Sequence, residues 1–594
     1  MISVSTVISD FFESKGVKHV FLLSGGMMMH LIDSLSKSEK IKYVCNHHEQ
    51  ACAIASESYA RIKTDIGVCY ATSGPGATNT ITGITGAWLD SVPVIFITGQ
   101  SKVALTTKGT GMTDLRMLGN FEVNITEIVK PITKYTAFIG KAEEILYQLE
   151  KAYFKATNGR PGPVLLDIPL DIQGSMVNKN DLGHFTIPSE KTYSDSDKIE
   201  KLKQLFKESN NPVILGGHGI RVSGQVTRFR HLVHKLNIPV VTTQLANDLM
   251  PYNDDLYIGR VGLRGDRAGN FAIQSADLII TLGSSLHITT TGYELEHFAP
   301  HAKIVVVDID LNTLKKNEQV SNLSINCDVK TFLDYFETLI PSKIHLKESW
   351  ISKLQNWKNR FSVITEPHER NGDEINTYHM IDVLSYQMKD DDILITDAGS
   401  LYYIVGQAFR PKKNQRVIVS GALGAMGYAL PAAVGACFAK PENNVICLTG
   451  DGSMQLNVQE LQTISTYRLN CKIIVLNNNG YASIRNTQVS FLNGHIAASS
   501  EETGVKFPNW EKLADAYSIP YKKENRYSNL HVLFKDLLAY NGPIFCEIIL
   551  PDKVNMLPAV TSERLLNGDF KSNKLHEMSP PLSIDVLESS GISI

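Results

Sequence analysis

VICLTGDGSMQLNVQELQTI, residues 445–464, and CKIIVLNNNGYASI, residues 471–484, read as two halves of one strand–helix–strand unit. Each opens with an apolar run of strand length that ends in a polar loop, and open α/β sheets place their ligands at such strand ends. Asp451 follows the first strand and Asn478 the second, 27 positions later, so a carboxylate and an amide oxygen converge on one sheet edge. Hard oxygen ligands of this kind suit Mg²⁺, which takes its remaining ligands from water and a diphosphate. Gly450 and Gly452 let backbone approach that phosphate closely. Gly-Asp-Gly or Asn-Asn-Asn-Gly alone reads better as a turn. The two together, at this spacing, favour a ligand site.

The same rhythm of short apolar runs and longer helical stretches fills the rest of the chain. Val20–Leu23, Val68–Ala71, Val94–Thr98 and Val164–Ile168 form one series. Pro212–Leu215, Leu278–Leu282 and Ile304–Val307 form a second, and Ile393–Thr396, Val445–Leu448 and Ile473–Leu476 a third. Helix-covered parallel sheets produce this pattern. The 594 residues, with 43% apolar and 20% charged, exceed one hydrophobic core and divide into three α/β units. Expected bounds are 1–180, 195–340 and 370–555, with polar linkers near 176–198 and 340–375. A weakly periodic tail, 556–594, wraps over the surface.

A formal net charge of −3 and a pI near 6.6 leave no basic face for nucleic acid. The first residues lack the basic start and apolar block of a signal peptide, and no stretch is long and apolar enough to span a bilayer, so no membrane partner and a cytoplasmic place are expected. The eight cysteines are scattered without a CxxC pair and read as buried, reduced, small apolar residues.

A second informative stretch is YVCNHHEQACAIASESYAR, residues 43–61, where Glu49 enters an Ala-rich helix. Asn46 and Glu49 have capping-box spacing, which alone would account for them. The segment nevertheless resembles the HEQ-A-A-x-x-A-x-G-Y-A-R block of acetolactate synthase and its relatives. The Gly-Asp-Gly and Asn-Asn pair resembles the thiamine diphosphate signature of the same family. Further blocks are similar: ATSGPGATNTITGITGAWLDSVPVIFITGQ (71–100), GRPGPVLLDIPLDIQ (159–173) and SGALGAMGYALPAAVGA (420–436).

The resemblance implies three Rossmann-like, doubly wound parallel-sheet domains in pyrimidine, central, diphosphate order. It implies Mg²⁺ on Asp451, Asn478 and the Gly480 carbonyl. Glu49 would bind N1′ of the aminopyrimidine and favour the imino tautomer that deprotonates thiazolium C2. Met426 would prop the cofactor in its bent conformation. Cofactor contacts are further expected from Gly25, Pro75, Asn79, Gly399, Ser400, Gly424, Gly450, Gly452, Ser453 and Tyr481. Glu49 and the metal residues lie in different domains, so the family implies a site shared across a homodimer or homotetramer.

The chain also departs from acetolactate synthase. Its Phe-Gln-Glu segment is Asn120, Phe121 and Glu122 here, and Thr487 stands where that family has a Trp that narrows the acceptor site. A smaller, hydroxylated residue suits a larger, more polar acceptor. Arg485 reads as a solvated surface charge or an anion contact. The flavin-binding Arg of the central domain gives way to Gly283, Ser284, Ser285, Leu286 and His287. Gly216, Gly217 and Gly219, with Asp308 and Asp310, either cradle a diphosphate and a ribose or form packed turns, which leaves FAD open.

The expected activity is decarboxylation of a 2-oxo acid donor, pyruvate first, and transfer of the two-carbon unit to a carbonyl acceptor. The segment NNNGYASIRNTQ and the tail resemble acetolactate-synthase-like proteins that act on a nucleotide-linked keto sugar. Alternatives are acetolactate synthase itself, a 2-oxo acid decarboxylase, or a carbon–carbon hydrolase. A non-catalytic binding protein is disfavoured by the retention of Glu49 and Asp451.

Overall fold

The computed structural model describes residues 1–112, 114–189, 196–339, 348–564 and 570–592. Three six-stranded parallel sheets follow one another along the chain. The first contains β1 (His19–Leu22), β2 (Lys42–Cys45), β3 (Gly67–Ala71), β4 (Val94–Gln100), β5 (Tyr135–Phe138) and β6 (Val164–Pro169). The second contains β7 (Pro212–Gly216), β8 (Val240–Thr242), β9 (Tyr257–Arg260), β10 (Leu278–Leu282), β11 (Lys303–Asp308) and β12 (Leu323–Asn326). The third contains β13 (Ile393–Thr396), β14 (Arg416–Val419), β15 (Val445–Gly450), β16 (Cys471–Asn477), β17 (Tyr521–Glu524) and β18 (Ile544–Ile549).

The strand orders are β2-β1-β3-β4-β6-β5, β9-β8-β7-β10-β11-β12 and β14-β13-β15-β16-β18-β17. The first and third sheets therefore share one topology. The middle sheet has the 3-2-1-4-5-6 order of a dinucleotide-type fold, with its switch point between β7 and β10.

The first and third domains pack through two helices, Glu49–Lys63 and Ala429–Ala439. Small residues let the backbones touch: a Cβ on Gly435 would lie 2.0 Å from the Ala55 carbonyl oxygen. This explains the alanine-rich composition of both segments, since larger side chains would force the helices apart. One apolar cluster runs from Phe21 and Val44 through this contact to Cys471 and Phe545.

The polar segment expected as a linker at 340–375 instead holds a helix, Glu348–Arg360. Trp350, Leu354 and Trp357 form a buried stripe at helical spacing, and Trp357 packs edge-on against Phe271 of the middle domain. Residues 340–347, and 190–195 of the other expected linker, lie outside the described residues, as do 565–569 and 593–594 of the tail. Other tail residues lie over the middle domain, where buried Arg267 donates to the carbonyls of Met578 and Pro580. No helix among the described residues is long and apolar enough to cross a membrane.

Candidate active site

At the C-terminal edge of the first sheet, the Glu49–Lys63 helix is capped by His48, whose Nδ1 accepts from the Gln50 amide at 3.0 Å. The capping box expected of Asn46 and Glu49 is not formed. Asn46 instead donates to Glu460 Oε2 at 2.8 Å, and the His47 amide donates to Glu460 Oε1 at 2.9 Å, tying this loop to the third domain. Glu49 is 7% exposed and accepts from Asn79 Nδ2 at 3.0 Å. Asn79 ends the short Pro75–Asn79 helix, which follows Gly74 in the left-handed region at φ 62°. A Cβ on Gly76 would lie 3.3 Å from Glu49 Oε1, and one on Gly25 would strike Thr72 at 2.5 Å. Gly25, Glu49, Pro75 and Asn79 thus gather at one edge. Phe121, at φ 59° and 65% exposed, packs its backbone against Gly74.

The corresponding edge of the third sheet carries Asp451, the first residue of the Asp451–Leu456 helix. Its Oδ1 accepts from the Gly452 amide at 2.7 Å, and its Oδ2 from the amides of Asn478 (3.0 Å) and Gly480 (3.2 Å). Burial pushes the Asp451 carboxyl up to about 6, and these three N–H groups oppose the shift. Asn478 Oδ1 is buried with no hydrogen-bond partner among the described residues. An oxygen left unsatisfied costs free energy, so its place beside a buried carboxylate fits a cation that would complete both.

Ser453 is buried, and a Cβ on Gly452 would strike the Tyr481 ring at 2.4 Å and lie 3.5 Å from Met426 Cε, so Tyr481 and Met426 converge there. Around Gly450 the space is open among the described residues. Gly399, at φ 75°, precedes the helix that Ser400 begins, and Gly424 sits at φ 66°. Gly399 and Gly424 line a cavity of about 730 Å³ between the three domains, with Asp90, His218, Tyr402 and Ser483.

Thr487 is exposed, donates to the Ser483 carbonyl at 3.0 Å and does not line that cavity. Arg485 is not a solvated charge: it is 8% exposed and donates to backbone carbonyls.

Within one chain no hydrogen bond or ion pair among the described residues joins Glu49 or Asn79 to Asp451, Asn478 or Met426. The Tyr428 hydroxyl donates to Glu57 Oε2 at 2.6 Å, placing Glu57 against the start of the Ala429–Ala439 helix, close in sequence to Met426. Glu49 lies eight residues before Glu57 on its helix, a rise of about 12 Å away from that contact. Its own neighbour across the domain boundary is the Glu460 region.

The middle domain's glycines form packed turns, not a phosphate cradle. The Gly217 amide donates to the Leu282 carbonyl and the Gly219 amide to that of Gly283, both at 2.9 Å. A Cβ on Gly217 would lie 2.2 Å from the Gly283 oxygen, and one on Gly216 would strike Leu249 at 2.5 Å. These residues allow two loops to touch, and the amides at 217 and 219 are consumed in doing so. Asp308 accepts from the Asp310 amide, and Asp310 pairs with Arg160 at 3.0 Å. Gly219, Gly283, Ser284, Ser285 and Asp308 line the same cavity between the three domains, and the turns themselves are no evidence for FAD.

Comparison with known proteins agrees with the geometry. "Thiamine pyrophosphate enzyme, N-terminal TPP binding domain" matches residues 2–117, the central domain of that family residues 199–336, and its C-terminal TPP binding domain residues 397–548. "Acetolactate synthase 2, chloroplastic" of Nicotiana tabacum is 33% identical over 583 residues, covering 96% of this chain and 84% of the relative. The chain belongs to the thiamine pyrophosphate enzyme family. "Probable acetolactate synthase large subunit" of Methanocaldococcus jannaschii is 33% identical over 561 residues, 92% of each chain, and "Acetolactate synthase 2, chloroplastic" of Zea mays 33% over 590 residues, covering 96% of this chain and 89% of the relative. The chain is thus a thiamine pyrophosphate-type enzyme similar to acetolactate synthases, with three α/β domains as its sequence implied.

Sequence reasoning missed the groups that hold these edges in place. Arg61 bridges Glu57 and Asp90 (2.6 Å to Asp90), and Asp90 accepts the Gly421 and Ala422 amides at 3.1 and 2.9 Å, anchoring the loop that leads to Met426. Asp397 accepts the Tyr428 and Ala429 amides at 2.8 and 3.1 Å. The i,i+4 spacing of Glu57 and Arg61 was the one available signal. Asp397 stands in no motif, and Glu460, inside the 445–464 stretch, has no spacing that marks its role.

Proposed function

We propose that the chain is a thiamine diphosphate- and Mg²⁺-dependent carboligase of the acetolactate synthase type, acting on 2-oxo acids. The observation that carries the cofactor reading is the orphaned Oδ1 of Asn478, the residue whose amide donates to buried Asp451. Full-length relatives named acetolactate synthase support pyruvate as donor and a second 2-oxo acid as acceptor. A nucleotide-linked keto sugar has no support in these relatives or in the position of Thr487.

Bound thiamine diphosphate supplies the nucleophilic carbon and the electron sink for decarboxylation and ligation. Asp451, Asn478 Oδ1 and the Gly480 carbonyl would hold Mg²⁺, while Gly450, Gly452 and Ser453 admit the diphosphate. Gly399, Ser400, Gly424 and Tyr481 would flank it, and Met426 would support the ring system. Gly25, Pro75 and Asn79 would bound the pyrimidine, and Glu49, oriented by Asn79, would hold and return the proton at its nitrogen. Glu49 and the metal residues stand at the edges of different sheets with no hydrogen bond between them among the described residues, which supports a homodimer as the smallest active unit. Eight unpaired cysteines, seven of them buried, accord with a cytoplasmic place.

The test is incubation of purified protein with pyruvate, thiamine diphosphate and Mg²⁺. Release of CO₂ with formation of acetolactate, both dependent on all three, is expected. CO₂ with acetaldehyde as the sole product would make it a decarboxylase, and no CO₂ from any 2-oxo acid would overturn the reading.

A further inference from the structure

Arg485 occupies an unusual place for a cation. It lies on the Ala482–Phe491 helix, just past the Asn478–Gly480 loop, and is 8% exposed. Its Nη2 donates to the carbonyls of Asn478 (2.8 Å) and Asp552 (3.0 Å), and its Nη1 to those of Ser499 (3.1 Å) and Asn479 (3.2 Å). No carboxylate within ion-pair distance accompanies it among the described residues.

Burying a guanidinium without a counter-ion is costly, so structural economy alone would favour an apolar residue here. The neighbouring backbone is shaped around it. Gly480 sits at φ 144°, and a Cβ there would lie 2.3 Å from Arg485 Nη1 and 2.4 Å from the Ser499 oxygen. Gly480 therefore has no side chain where the guanidinium passes. Asn479 is in the left-handed region at φ 55°, which Asn tolerates better than most non-glycine residues.

We propose that Arg485 is a positioning residue for the metal loop. Its fork clamps the Asn478 and Asn479 carbonyls to the fixed carbonyls of Ser499 and Asp552, which holds Asn478 Oδ1 and the Gly480 carbonyl beside Asp451. A planar guanidinium can take four carbonyls in fixed directions, whereas an ammonium on a flexible stem cannot.

The inference rests on the thiamine diphosphate and Mg²⁺ reading. The experiment is calorimetric titration of thiamine diphosphate into metal-stripped protein at a series of Mg²⁺ concentrations, for the native chain, Arg485→Lys and Arg485→Met. Circular dichroism checks folding, and KM for pyruvate is measured at saturating Mg²⁺. Both variants are expected to fold, to need roughly 10- to 100-fold more Mg²⁺ for half-maximal cofactor binding, and to keep KM within about twofold. Native-like Mg²⁺ dependence in either folded variant overturns the proposal, Lys because charge would then suffice. Variants that do not fold also overturn it, since Arg485 would then hold the domain, not the loop. If the native chain shows no Mg²⁺-dependent binding of thiamine diphosphate, the cofactor reading itself fails, and this proposal with it.

Discussion

The first and third sheets have the same strand order, yet their C-terminal edges carry different groups. In topologically equivalent positions, Gly25 follows β1 and Gly399 follows β13. Glu49 follows β2, where Gly424 and Met426 follow β14. Pro75 follows β3, where Asp451 follows β15. One edge gathers a carboxylate with an amide, Glu49 and Asn79, and the other a carboxylate with an unsatisfied oxygen, Asp451 and Asn478. The backbone supplies a place; the loops decide what is bound there. The middle sheet sharpens the lesson, because its switch-point loops spend their amides on each other.

The comparison breaks most visibly if the two edges are not separately required. Glu49→Gln is expected to bind thiamine diphosphate and Mg²⁺ normally and to lose about 10²- to 10⁴-fold in turnover. Asp451→Ala is expected to lose Mg²⁺-dependent cofactor retention, read by calorimetry. Equal loss of cofactor binding in both would merge the two roles.

Next in size is the network between the edges. Arg61→Met leaves the buried Glu57 and Asp90 carboxylates without their cation and is expected to cost about 3–5 kcal/mol in denaturant unfolding. A cost below about 1 kcal/mol would mean that the network is solvated. Gly435→Ala probes the helix contact itself. Its added methyl would meet the Ala55 carbonyl, and a loss of about 1–3 kcal/mol is expected. The smallest effect belongs to Thr487→Trp, at an exposed site, where stability is expected to stay within about 0.5 kcal/mol of native. A larger loss would show that Thr487 is covered in the assembled protein.

How far the sequence could be read follows the same physics. The apolar runs picked out in it are all inner strands, buried on both faces and so nearly continuous in apolar residues. The edge strands Lys42–Cys45 and Tyr521–Glu524, KYVC and YKKE, carry too much polarity to stand out. Asp451 and Asn478 were legible because spacing across a strand–helix–strand unit is a local property. The capping-box alternative for Asn46 fails because its partner, Glu460, is remote in sequence. Arg485 was misread as exposed because nothing local announces four carbonyls drawn from three separate segments.

The central claim is that Glu49 of one chain works with Asp451 and Asn478 of another. Mixing the inactive variants Glu49→Gln and Asp451→Ala, after dissociation and reassembly, tests it most directly. Half of randomly assembled dimers are mixed, and each mixed dimer carries one site with both native residues, so about a quarter of native turnover should return. Continued inactivity of a reassembled, dimeric mixture would contradict the account and place the complete site within a single chain.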